Sequence, residues 1–199
     1  NGNYSAGGLG SAAEYSAWVA QVASGIGSKK AICILEPDAL GLSRDLSETA
    51  KTERYVMLNK AIQLLKANTN TKVYVDSSIW AGVNDSAALL KKLSGMDGFA
   101  CNVSGYRSQA DCLTYANAVS SKTSLRYIID TSRNGNGAPR GNDIWCNQTD
   151  TKVGIPNTIK PANAPLCDAF LWIKVPGESD GLKINGKDVM KELNIKPGP

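Results

Sequence analysis

The chain contains no histidine. It therefore lacks the one side chain whose ordinary pKa lies near neutrality, and proton transfer in that range falls to carboxylates. No apolar run approaches the roughly 18 residues that a membrane span requires, so no membrane partner is expected. The chain opens Asn1-Gly2-Asn3-Tyr4-Ser5 with no basic-then-apolar leader, and the Asn start points to a mature or excised fragment. Clustered basic charge is scarce as well. Lys29-Lys30 and Lys91-Lys92 are the tight pairs within a formal charge of +4. A nucleic-acid footprint is a basic stripe, not a small surplus, so no nucleic-acid partner is expected. None of the five cysteines (Cys33, Cys101, Cys112, Cys146, Cys167) forms a C-x-x-C pair, which argues against a zinc ribbon or a thioredoxin-type site. Cys101 could pair with Cys112 and Cys146 with Cys167, with Cys33 a buried thiol in an apolar run. Two disulfides favour an oxidising compartment, and a secreted protein is expected.

Four apolar runs each end in a carboxylate: Ile34-Leu35-Glu36-Pro37-Asp38, Val73-Tyr74-Val75-Asp76, Tyr127-Ile128-Ile129-Asp130, and Trp172-Ile173-Lys174 leading to Glu178 and Asp180. If these runs are parallel strands, their C-terminal ends form one acidic rim, the place where α/β folds keep their sites.

Helical spacing of Tyr15, Trp18, Val22 and Ile26 predicts a helix over 11–26 with Trp18 on its core face. Tyr55, Leu58, Ile62 and Leu65 predict another over 47–67. Strands are expected at 31–35, 72–75, 99–103, 125–129 and 169–173, with helices at 85–93, 109–120 and 187–193. The stretch 131–166 reads as one long loop, rich in Gly, Asn and Pro. This alternation requires a parallel sheet. Five strands fall short of the roughly eight of a closed barrel, so the fold is an open sheet or a barrel without its opening units. A single domain over 1–199 is expected.

Pro37 ends its strand and presents Asp38 above the sheet. Desolvation there would raise the carboxyl and suit it to general-acid work, although a strand-end Asp also caps turns. Asp76 and Asp130 singly read as caps or turn residues. Thr131-Ser132-Arg133-Asn134-Gly135-Asn136-Gly137 has the look of a phosphate loop but lacks a Gly-Lys-Ser/Thr ending. Trp80 and Trp145 are candidate stacking platforms for a sugar face or, equally, packing under loops.

Taken together, Ile34 to Leu40, Asn102-Val103-Ser104, Ile129 to Gly137, Trp145-Cys146-Asn147 and Asp168 to Gly181 resemble family 6 glycoside hydrolases. These are endoglucanases and cellobiohydrolases on a distorted, TIM-like parallel β/α barrel. The resemblance implies inverting hydrolysis of a β-1,4-glucan, with Asp38 as general acid, Asp180 as base directly or through water, and Asp76 tuning or orienting the site. Such enzymes hold the acid and base roughly 6.5–9.5 Å apart. Asn102, Trp145, Lys174 and Glu178 match positions that contact glucosyl units, Trp80 is taken as a further platform without a matched position, and Asp130 is read as a turn residue. It also implies a polysaccharide partner, a monomer, and no metal or organic cofactor. The loop lengths are nearest those of the endoglucanases, while a cellobiohydrolase or a non-catalytic glucan-binding remnant are the alternatives. Three departures stand out. Asp76 is followed by Ser77-Ser78-Ile79 in place of Ala-Gly-His. Leu182 replaces a Cys after Asp180-Gly181, so Cys146 would need another partner. The family's first strands, with a Tyr and an assisting Asp, would precede Asn1.

Overall fold

The structure is a computed structural model that describes residues 8–137, 146–181, 183–184 and 187–188, the last two pairs as backbone. The chain divides into two compact units, 1–99 and 100–199.

In the first unit, α1 (Ala12–Ile26), β1 (Ala31–Leu35), the single turn α2 (Ala39–Leu42), α3 (Glu48–Lys66), β2 (Thr71–Asp76) and α4 (Val83–Leu90) follow one another. β1 and β2 are parallel, with Ala31 opposite Thr71 and Leu35 opposite Val75. Both long helices start where a serine hydroxyl accepts a first-turn amide: Ser11 from Glu14, Ser47 from Ala50. α1 ends at Gly27, whose positive φ suits a residue without Cβ. The expected face of α3 is buried through Leu58, Ala61, Ile62 and Leu65. On α1 the buried residue is Val19, whereas Trp18 is 51% exposed and stacks on Tyr15. Tyr15, Val22 and Ile26 of the expected face are half-buried, so the inward stripe runs Tyr15, Val19, Val22 and Ile26, which corrects the reading of Trp18 as core.

β3 (Gly98–Cys101) lies at the boundary along the chain. The second unit continues with α5 (Gln109–Thr123, capped by Ser108), β4 (Arg126–Asp130), β5 (Thr158–Ile159), β6 (Cys167–Leu171) and a hairpin of β7 (Lys183–Ile184) and β8 (Lys187–Asp188). β4 and β6 are parallel, and β5 runs antiparallel to β6. Tyr127, Ile128 and Ile129 of β4 are fully buried, each side chain contributing about 1.5–3 kcal/mol. Two expectations need correction. β6 begins two residues before the expected strand, because Asp168 faces outward to an ion pair with Arg126 at 2.6 Å. Lys187–Asp188 pairs with Lys183–Ile184 as a strand instead of opening a helix; residues 189–193 lie outside the described residues.

The strand ends share a backbone peculiarity. Glu36 and Asp38 after β1, Ser78 after β2, and Asn102 and Ser104 after β3 all adopt positive φ, a region that non-glycine residues seldom occupy. Among the described residues no helix is long and apolar enough to cross a membrane.

Candidate active site

In the first unit the Pro37 turn places Asp38 in the left-handed region at φ 65 and starts α2 immediately after it. The Asp38 amide donates to Asp76 Oδ2 at 2.8 Å, and the Ser78 hydroxyl donates to the same oxygen at 3.3 Å. The Gly41 amide in turn donates to Ser78 Oγ at 3.0 Å. Ser78, part of the departure from Ala-Gly-His, thus ties the end of β2 to the turn that carries Asp38. The indole N–H of Trp80 donates to Asp38 Oδ1 at 2.8 Å. Arg44 covers the indole, its guanidinium carbon 5.3 Å from the ring centroid, and pairs with Asp85 at 2.7 Å. A Cβ at Gly41 would come within 2.5 Å of the indole, so only glycine admits this packing. Glu36 accepts the Tyr15 hydroxyl at 2.8 Å; burial and then the adjacent Glu36 charge push that phenol upward.

The desolvated carboxyl of this cluster is not the expected one. Asp38 is exposed, while Asp76 is 3% exposed. Burial pushes Asp76 up to about 7, reinforced by the Asp38 charge and opposed by the Asp38 and Ser78 amides. The strand's last residue sinks between neighbours, whereas the Pro37 turn lifts Asp38 clear of them.

In the second unit Asp130 does more than lead into a loop. It is fully buried. Its Oδ1 accepts the amides of Ser132 (2.9 Å) and Ile173 (3.2 Å), and its Oδ2 those of Ser104 (2.8 Å) and Lys174 (3.2 Å). One carboxylate therefore gathers three chain segments, correcting its reading as a turn residue alone. Asn102 is 1% exposed and engaged within the protein. It donates to the Asp130 carbonyl at 3.0 Å and accepts the Arg107 amide at 3.2 Å.

Asp180 is the focus of this unit. Its Oδ2 accepts from the Arg133 guanidinium (2.5 Å), the Tyr106 hydroxyl (2.9 Å) and the Asn147 amide (3.0 Å). Lys174 Nζ lies 3.5 Å from Oδ1 and 2.9 Å from Glu178 Oε2. Burial alone would raise this carboxyl, but the Asn147, Arg133 and Tyr106 donors outweigh it and hold Asp180 below the usual carboxylate range. Tyr106 is pushed up to about 12 by burial, with Arg133 opposing and Asp180 assisting, so it remains a donor. Next to this cluster a cavity of about 650 Å³ is lined by Tyr106, Arg133, Gln148, Lys152 and Glu178 among others. The chemistry here is that of a fixed, ionised acceptor beside a polar hollow.

Asp38, Asp76 and Trp80 are thus joined in one hydrogen-bonded group, and Lys174, Glu178 and Asp180 in another. Trp145 lies outside the described residues. The sequence pointed to neither Tyr106 nor Arg133 as site residues. Arg133 had been part of the phosphate-loop pattern, and the structure turns it inward, 9% exposed, onto Asp180. The cysteines stand as thiols. Cys101 Sγ lies 3.8 Å from the Cys112 carbonyl oxygen and Cys167 Sγ 3.2 Å from that of Ala169; Cys33, expected to be buried, is half-buried.

Residues 1–194 match the model of "Glycosyl hydrolases family 6". Endoglucanase 1 of Streptomyces halstedii is 38% identical over 194 residues, covering 90% of this chain and 57% of the relative. Endoglucanase A of Thermobispora bispora is 38% identical, with 90% and 41% covered. The solved endoglucanase Cel6 from Mycobacterium tuberculosis, in complex with methyl-cellobiosyl-4-deoxy-4-thio-β-D-cellobioside, superposes with a TM-score of 0.84 at 38% identity. That likeness covers 90% of this chain and 63% of the other. The chain spans about half the length of the curated relatives it matches. The α/β, mainly parallel fold expected from the strand pattern is the fold of these structures, and the chain belongs to family 6 of the glycosyl hydrolases.

Proposed function

We propose that the chain serves the inverting hydrolysis of internal β-1,4-glucosidic bonds in cellulose or a related glucan, as one catalytic domain without metal or organic cofactor. Asp38 donates the proton to the leaving glycosidic oxygen, and Asp180 takes the proton of the attacking water. Asp76 orients Asp38 by accepting its backbone amide. Lys174, Glu178, Trp80 and Trp145 contact glucosyl units, while Asn102 acts through the loop it holds. The observation that carries this reading is the environment of Asp180. Several donors keep it ionised, as an acceptor of a water proton must be.

Release of reducing ends from soluble carboxymethyl cellulose, with an early fall in viscosity, is the expected result for the purified chain. Asp38→Asn should abolish that release and leave glucan binding intact. Near-normal turnover by this variant would remove Asp38 from the role of acid. Binding without release by the unsubstituted chain would favour a glucan-binding remnant.

In the same reading the protein is secreted and monomeric. A Cys101–Cys112 disulfide forms in an oxidising compartment, supported by the closeness of Cys101 Sγ to the Cys112 backbone. Mass spectrometry of the unreduced, trypsin-cleaved protein checks that bond.

A further inference from the structure

We infer that Tyr106 is a positioning residue for Asp180: with the Arg133 guanidinium it carries on its ring, it locks Oδ2 and leaves Oδ1 to meet the reacting water. This rests on the reading of Asp180 as base and adds a residue to which neither sequence motif nor comparison assigns a role.

The geometry divides the two oxygens sharply. A carboxylate oxygen offers about two lone-pair directions, and Oδ2 already faces three donors within 3.0 Å. The contact of Oδ1 among the described residues is Lys174 Nζ at 3.5 Å, a cation shared with Glu178 at 2.9 Å. A proton from water is therefore accepted at Oδ1. Tyr106 enforces this in two ways. Its hydroxyl donates to Oδ2, and its ring lies 4.2 Å under the Arg133 guanidinium carbon. Arg133 is held in the remaining directions by Asp180 and by the Ser104 carbonyl. Tyr106 itself is 4% exposed. It is set by the Asn102–Gly105 turn, in which a Cβ on Gly105 would fall 2.2 Å from Asn102 Oδ1.

Tyr106→Phe keeps the ring and its stacking on Arg133 and removes one donor. The groups facing Asp180 are Arg133, Lys174 and Tyr106, with Glu178 beyond Lys174. Loss of a donor to an anion makes the anion more basic. In Tyr106→Phe the Asp180 carboxyl should titrate higher by about one pH unit, read by NMR of aspartate carboxyl carbons with Asp180→Asn assigning the signal. The acid limb of kcat should move up with it. kcat should fall about tenfold, because Oδ1 is no longer held in line with the reacting water, with KM little changed. Tyr106→Leu, which also loses the stacking, should lower kcat further.

An unmoved Asp180 titration together with an unchanged kcat in Tyr106→Phe would overturn the inference and reduce Tyr106 to packing. Failure of the functional reading would look different: Asp180→Asn would hydrolyse glucan normally while the Tyr106→Phe titration still moved.

Discussion

Replacing Asp76 by Asn should change how stability depends on pH, and the size of the change follows from burial. Asp76 has an ordinary pKa of 3.8 in an exposed chain and titrates near 7 in the folded protein. Between those values the folded state holds a proton that the unfolded state has released, so stability is greatest below about pH 4 and declines as pH rises toward 7. At about 1.36 kcal/mol per pH unit, the full decline attributable to this carboxyl is about 4 kcal/mol. Asn is nearly isosteric, keeps a carbonyl oxygen to accept the Asp38 amide, and does not ionise. Hydrogen bonds lost in the substitution shift its stability by a constant, whereas the ionisation cost is pH-dependent. The measured quantity is therefore the stability of Asp76→Asn minus that of the unsubstituted chain, from urea unfolding at each pH from 4 to 8. It should become more favourable to the variant by about 4 kcal/mol across that range. Asp180 and Asp97 do not confuse the result. Both carboxyls are held below the ordinary range, Asp97 because Lys66 and Lys72 outweigh its burial, and their contributions are lost at lower pH, below about 4. A difference constant to within about 0.5 kcal/mol from pH 4 to 8 would refute the argument that burial controls this carboxyl.

Asp130→Asn puts an amide donor against at least one pair of converging backbone amides and should lower stability by about 3 kcal/mol in urea unfolding. Gly41→Ala drives a methyl to within 2.5 Å of the Trp80 ring. It should cost about 1–3 kcal/mol in thermal or urea unfolding and shift Trp fluorescence. Trp80→Phe keeps an aromatic face but removes the donor to Asp38 Oδ1. It should lower kcat about three- to tenfold with KM nearly unchanged, the loss of one hydrogen bond to the carboxylate that Asp38 becomes as it gives up its proton, whereas Trp80→Ala should raise KM as well.

The alternation of helices and strands was legible because it rests on local period. The rhythm of Leu58, Ile62 and Leu65 and the apolar run of Tyr127, Ile128 and Ile129 name their own elements. Asp38 and Asp180 came forward as candidates because the runs that hold them, Ile34 to Leu40 and Asp168 to Gly181, resemble blocks of family 6 glycoside hydrolases. What stayed hidden depends on contacts between residues far apart in sequence. Asp130 looks like any strand-end aspartate until Ser104, Ile173 and Lys174 bring their amides to it. Tyr106 has no motif around it, because its partners lie 27 and 74 residues further along, at Arg133 and Asp180. Nor could pattern alone show that Trp18 turns outward while Val19 turns in, since both lie within a third of a helical turn.

The left-handed residues that close β1, β2 and β3 have a bearing on directed evolution. Each non-glycine residue in that region carries backbone strain of about 1 kcal/mol, which a glycine would relieve. A selection for heat resistance would therefore reward glycine at Ser124 or Lys160, which also have positive φ, more readily than at Glu36 or Ser78. At Ser124, just past the last turn of α5, glycine gives up little beyond the hydroxyl. At Ser78 it removes the hydroxyl that joins Asp76 to Gly41, and at Glu36 the acceptor for Tyr15. Glycine at Ser124 should therefore raise the melting temperature and glycine at Ser78 or Glu36 should not, so the strand ends keep their strained backbone through these hydrogen bonds.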